Sequence, residues 1–179
     1  MFAGIDPGLT RTGVVIKDEQ GKIVDYATFS APPAGNSVTR VTALAAHVVA
    51  FLYCHGVSVA GLETAVYNRN PKTFALQSWL IGALMGSLAE YDMGVVLVGP
   101  TQAKAAHTGD GKASKLDMIL AGSFDGPGYG DAADQEALAD AEAMCDYAFN
   151  NQGKIEYYDG DACKINLPST NPDIHTCDK

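Results

Sequence analysis

Short blocks of apolar residues open the chain. FAGID, TGVVIKD and KIVDYATFS read as three strands, and the turn-like DEQGK joins the second pair, which predicts a β-meander. SVTRVTALAAHVVAFLYCHG repeats apolar residues at helical spacing, with Ser37 as N-cap and Gly56 as stop. SVAGLE is a short buried strand ending in Glu63, and the segment from Pro71 to about Tyr91 reads as a long helix. MGVVLVG is the next strand. A looped stretch bearing Lys104, Lys112 and Lys115 then precedes a short helix, DGPGYG makes a turn, and DAADQEALADAEAMCDYAFN forms the final helix. The order βββαβαβαα implies an α/β fold, a mixed five-stranded sheet with helices on both faces.

A chain of 179 residues with 47% hydrophobic and 18% charged residues suits one globular domain. The helix over 73–91 is apolar nearly all round, but Gln77, Ser78, Ser87 and Glu90 interrupt it and no basic flank sets an orientation, so no membrane span is expected. Gly82 and Gly86 share one of its faces. They suggest a homodimer formed by close helix approach, the alternative being that they fit the internal core. Cys54, Cys145, Cys163 and Cys177 form no CxxC pair and the N-terminus shows no secretion signal, which points to a reduced, cytoplasmic protein.

The net charge of −9 argues at first against nucleic acid. Its distribution changes that. Residues 1–120 carry nine Lys/Arg and nine Asp/Glu, whereas the remaining 59 residues hold three Lys against twelve acids. An acidic C-terminal third follows a neutral body, and cations bound to such acids would reverse the local field.

Three places concentrate chemistry. In GIDPGLTRTG, Asp6 ends a buried strand at a sharp turn, where it would either serve a site or cap the turn. Glu63 closes the apolar run SVAGL, where an ionised carboxylate is costly unless paired or metal-bound. On the last helix, at about 100° per residue, Asp134 heads the stripe of Leu138, Ala141, Cys145 and Ala148, and Asp131 stands one turn earlier. Asp140 falls on the flank. The alternative use of Asp131 and Asp134 is to complement the positive helix N-terminus.

These segments, with GPTQAKAAHTGDGKASK, follow in order and spacing the motifs of RuvC-like Holliday junction resolvases, and the sequence resembles especially their compact phage-type members over roughly residues 2–150. The resemblance implies a ribonuclease-H-like domain at 1–150, a dimer, branched DNA as partner, and Mg²⁺, or Mn²⁺ in its place, with two ions held by four carboxylates; residues 151–179 lie beyond it and read as an acidic C-terminal extension. Asp6 and Glu63 match the first two acids. Asp131 and Asp134 match the last pair by the literal DAAD, with Asp140 as the reserve register, although Ala137 stands three positions before it. The resemblance puts Lys104 and Lys115 near the scissile phosphate, with Lys115 counted as catalytic. Tyr67 and Arg69 occupy the place of an aromatic wedge and a basic junction contact, and Lys72 and Lys112 add to the expected DNA-binding set.

Other readings are weaker. His107 reads as a solvated loop histidine, and Cys163, His175 and Cys177 make a poor zinc signature. The glycines around Lys112 lack the GxxxxGK[ST] pattern of a nucleotide loop. An actin-like or sugar-kinase-like ATPase needs two lobes where this length supplies one. A non-catalytic branched-DNA-binding protein of the same fold remains the alternative from a different class.

Overall fold

The computed structural model describes residues 1–66, 70–124 and 126–154. Strands β1 (Phe2–Asp6), β2 (Thr12–Lys17), β3 (Ile23–Phe29), β4 (Val59–Glu63) and β5 (Gly94–Val98) form one sheet in the order β3-β2-β1-β4-β5. The first three pair antiparallel as the meander predicts, and β4 and β5 add in parallel to β1. β2 is buried along its whole length, as a continuous apolar strand covered on both faces must be.

Helices α1 (Ser37–Cys54) and α2 (Pro71–Glu90) cover one face. Asn36, rather than Ser37, caps α1, accepting from the Thr39 N–H at 2.9 Å, and Gly56 leaves the helix at φ 64°. By length and composition α1 could cross a bilayer. Its inner face, Val41, Leu44, Val48 and Leu52, is instead buried in the core between sheet and α2. On α2, Leu80, Ile81, Leu84 and Leu88 face inward, whereas Trp79 and the two glycines face out.

The other face carries α3 (Pro100–Thr108), α4 (Lys115–Ala121) and α5 (Ala132–Asn150). The stretch expected to be a loop is thus helical over its first part. Pro100 ends β5 and also starts α3, three alanines favour the helix, the Gln102 side chain accepts from the Gly99 N–H at 3.0 Å, and Gly109 closes it at φ 81°.

α5 lies directly on the sheet. A Cβ added at Gly13, Gly4 or Gly61 would fall 2.0, 1.8 or 2.2 Å from the carbonyl oxygens of Ala137, Ala141 and Met144 respectively. Three adjacent strands therefore offer bare backbone to successive turns of one helix. A second device holds the same helix: Lys17, buried at the end of β2, pairs with Glu142 at 3.0 Å and Asp146 at 2.5 Å. Glu142 also accepts from the Ser123 N–H and hydroxyl, at 2.8 and 2.9 Å.

Gly4→Ala should destabilise the protein by about 1–3 kcal/mol or more, the range for overpacking, because the colliding atoms are backbone and cannot turn aside. Urea unfolding measures this; a change under about 0.5 kcal/mol, the size of an ordinary surface substitution, would mean that the helix simply lifts.

Candidate active site

Parallel pairing of β1 and β4 sets Ile5 opposite Leu62, so Asp6 and Glu63, the next residues, leave the sheet side by side at the same edge. The close approach of α5 brings Asp140 to them. All three carboxyl groups are partly buried, and each is pushed up in pKa first by loss of solvent. Asp6 rises well above the usual range, through burial and then the charges of Glu63 and Asp140. Glu63 is raised to about 7 by burial and by Asp140, against the hydrogen bond to Asp6 and the charge of Lys104. Asp140 is raised to about 6 by burial and by Glu136, against Lys104 and Lys115. Three acids that resist ionisation at one point need positive charge from elsewhere.

Asp131 and Asp134 are engaged otherwise. Asp131 is the N-cap of α5, accepting from the Ala133 and Asp134 N–H groups, while the Asp134 carboxylate accepts from the Asp131 N–H at 3.1 Å. Arg11, from the β1–β2 turn, then clamps both, at 2.8 Å to Asp131 and 2.9 Å to Asp134. The Asp134 N–H, with the Ala133 N–H and Arg11, holds the Asp131 carboxyl below the usual carboxylate range. The structure thus gathers Asp6, Glu63 and Asp140, the reserve register, and ties the DAAD pair to an arginine. The wheel argument missed this because α5 is wrapped on more than one side. Ala139, Ala143 and Met144 are buried in the cluster shared with α3 and α4, so the flank carrying Asp140 is interior as well.

Among the cations, half-buried Lys104 donates to the Ala113 carbonyl at 2.8 Å while its charge reaches Glu63 and Asp140. Lys115 pairs with Glu136, and both line a cavity of about 400 Å³ with Asp6, Arg11 and Ala137. Lys72 and Lys112 are exposed. Tyr67 and Arg69 lie outside the described residues, as do Cys163, His175 and Cys177; Cys54 and Cys145 are free thiols.

Sequence reasoning passed over Glu136, whose spacing of four from Asp140 puts it on the same helical face. His107 is not a solvated loop residue: it sits on α3 with its side chain 4% exposed, Nδ1 3.5 Å from Asp146. Its Nε2 has no hydrogen-bond partner among the described residues.

Comparison with known proteins gives the family. The family model described as crossover junction endodeoxyribonuclease RuvC matches residues 2–121, which include Asp6, Glu63, Lys104 and Lys115 but stop short of α5. The chain is 33% identical over 146 residues to the protein of that name from Mycolicibacterium vanbaalenii, covering 76% of this chain and 75% of the relative. Against the Clavibacter michiganensis protein the figures are 30% over 145 residues, 76% and 72%. Thermus thermophilus RuvC superposes with a TM-score of 0.68 at 27% identity, covering 87% of this chain and 98% of that one. The same protein in complex with Holliday junction substrate gives 0.69 at 26% identity, with 87% and 97% covered. These relatives are bacterial, and nothing in them singles out phage-type members.

The raised acids carry a stability consequence. A carboxyl whose folded pKa lies above its unfolded value of about 4 favours folding fully below that pH. The contribution is lost as pH rises through about 6 for Asp140 and about 7 for Glu63. In divalent-free buffer, Glu63→Gln should therefore melt above the unmodified protein at about pH 8, with the gap closing near pH 5. Calorimetry across that range checks it; a gap independent of pH would contradict the buried charge.

Proposed function

Since the chain belongs to the RuvC family of crossover junction endodeoxyribonucleases, we propose that it resolves four-way and related branched DNA, with its chemistry at Asp6, Glu63 and Asp140. The carrying observation is that these three acids, from β1, β4 and α5, meet at one edge of the sheet, where burial raises the pKa of each and the charge of Asp140 raises Asp6 and Glu63 further.

The donor set suits a hard divalent cation. Its ligands are carboxylate oxygens without thiol or imidazole, which favours Mg²⁺ or Mn²⁺ over zinc. Among the described residues no three His, Cys, Asp or Glu side chains stand together as a ready metal-binding group, so these acids would share an ion with water, which Mg²⁺ retains when bound. When bound, a pair of such ions would supply Lewis-acid chemistry and neutralise charge at phosphorus. Asp6, Glu63 and Asp140 would hold them, with Glu136 as a fourth carboxylate where Ala137 leaves the expected one missing.

The remaining roles fall to the cations of the chain. Lys104, already beside Glu63 and Asp140, stabilises negative charge on the scissile phosphate. Lys115 exchanges Glu136 for phosphate when DNA arrives. Tyr67, Arg69, Lys72 and Lys112 contact the branch beyond it. Asp131 and Asp134 act through Arg11, pinning the β1–β2 turn that follows Asp6. Work on DNA in a bacterial cell is cytoplasmic work, which is the compartment this reading assigns.

A second copy completes the enzyme. Nothing lies within 4 Å of a Cβ added at Gly82 or Gly86, so internal packing does not require either glycine. With Trp79, 52% exposed, they mark an outer face of α2 open to close helix contact.

Two outcomes follow. Asp6→Asn or Asp140→Asn should lower nicking of a labelled junction in Mg²⁺ by more than about 10²-fold while junction binding in Ca²⁺ persists, whereas Asp134→Asn should stay within about 10-fold. Greater loss from Asp134→Asn than from Asp140→Asn would return the site to the DAAD register. Replacing Gly82 and Gly86 by Leu should convert a dimer to a monomer in sedimentation at micromolar concentration, and a monomeric unmodified protein under those conditions would end the dimer reading.

A further inference from the structure

We propose that His107 is a positioning residue for Lys104: facing Asp146 from the last turn of α3, it holds that helix so that the ammonium of Lys104 is aimed at Glu63 and Asp140. The proposal rests on the nuclease reading above and gives a task to a buried group that this reading leaves idle.

The run PTQAKAAH sets the geometry. Residues three and four apart share a helical face, so Ala103, Lys104 and His107 lie on one side of α3. Ala103 is buried, Lys104 half-buried, and the His107 side chain 4% exposed. Two polar contacts attach α3 to α5. At the start of α3 the Gln102 side chain donates to the Tyr147 hydroxyl at 3.2 Å, and at its end His107 Nδ1 stands 3.5 Å from Asp146 Oδ2. Lys104 lies between the two, donating to the Ala113 carbonyl at 2.8 Å, with its charge on Glu63 and Asp140.

The far end of the His107 contact is itself fixed. Asp146 gives its other oxygen, Oδ1, to Lys17 at 2.5 Å, and Lys17, buried on β2, holds Glu142 as well. Lys17, Asp146 and His107 therefore join the sheet to α3 in one path. Against the loss of solvent, which raises it, the contacts with His107 and Lys17 bring the Asp146 carboxyl below the usual range, so both partners are felt there. The other ring nitrogen tells against a purely structural part. Nε2 is buried without a hydrogen-bond partner among the described residues, 3.2 Å from where a Cβ of Gly122 would stand. A leucine would fill this space with no polar atom to satisfy, and burying an unpaired one opposes folding. What histidine adds over leucine is the Nδ1 contact. Two accounts compete. One makes His107 interior packing; the other lets its charge act on Asp140 directly, a smaller influence there than burial, Glu136 or the two lysines. Neither runs through Lys104.

The test uses the full chain and a labelled four-way junction, with the nicking rate of the saturated complex measured in Mg²⁺ and the junction Kd in Ca²⁺. His107→Leu should slow nicking of the bound junction by about ten-fold or more, because a misplaced group costs that much in rate, and leave Kd within about three-fold. His107→Asn, which sets an N–H near the place of Nδ1, should bring the rate back to within about three-fold of the unmodified protein, whereas His107→Gln, whose amide reaches instead to the place of Nε2, should not. Lys104→Ala should be slow by itself, and adding His107→Leu to it should cost less than about two-fold more. Equal rates for the Leu, Asn and Gln variants make His107 packing and overturn the proposal. The full His107→Leu loss in the Lys104→Ala background also overturns it, as does an inert Lys104→Ala. If His107→Leu does not fold at the assay temperature, the Asn and Gln variants, with and without Lys104, decide by the same comparison. Absence of product from the unmodified protein in Mg²⁺ or Mn²⁺ ends the nuclease reading and this role with it, whereas product with any overturning pattern ends only the role of His107.

Discussion

The site depends on how closely α5 approaches the sheet. Ordinary side chains between a helix and a sheet hold the two apart; here the strands offer Gly13, Gly4 and Gly61, and the helix offers Ala137, Ala141 and Ala148 in return. The carbonyl oxygens of the helix occupy the positions that Cβ atoms of those glycines would take. Aspartate has one methylene, so Asp140 reaches the acids of β1 and β4 only because its helix lies this low. Glycine within a strand weakens it, and this sheet accepts three such positions under one helix. The Lys17 pairs with Glu142 and Asp146 act on the same helix from the next strand, fixing its axial position as the glycines fix its height.

Opposed charges then sort the acids of α5 into two kinds. Those at the helix start are satisfied: N–H groups and Arg11 take up Asp131 and Asp134. Asp140, two turns on, has burial and like charges as its surroundings, partly relieved by Lys104 and Lys115. One sequence run, DAADQEALAD, therefore contains a structural clamp and a buried carboxylate with a raised pKa, and only the environment tells them apart. The clamp serves the carboxylate, since Arg11 belongs to the turn that begins at Asp6 and holds it against the helix bearing Asp140.

Much of this was legible in the chain. The meander, both strand-end acids and the two-sided covering by helices follow from apolar blocks and their terminators, because strand periodicity and turn residues are local signals. The Pro100–Thr108 helix was missed because Pro100 and the flanking glycines, read as loop punctuation, are also its start and stop. Which acid of α5 lies beside Asp6 and Glu63 was not legible either. A single-stripe wheel assumes one buried face, and this helix is buried by the sheet on one side and by its neighbouring helices on another. His107 failed for the same kind of reason: its burial comes from Asp146 and Gly122, which are distant in sequence.

The charge of −9 poses the last problem, since DNA is a polyanion. In the free protein the cations near the site are largely committed: Arg11 to Asp131 and Asp134, Lys17 to Glu142 and Asp146, and Lys115 to Glu136. Lys104 is held by a carbonyl rather than a carboxylate, and so its charge falls on the acid cluster. Such a surface gives phosphate little reason to approach the acids unaided. On the proposed reading, divalent cations held by Asp6, Glu63 and Asp140 would change the balance at one step: they would discharge the repulsion among these acids and weaken the hold of Glu136 on Lys115, leaving that lysine to phosphate. The same ions that the chemistry needs would thereby make the substrate welcome, so attraction for DNA at the cutting edge and competence to cut it arise together.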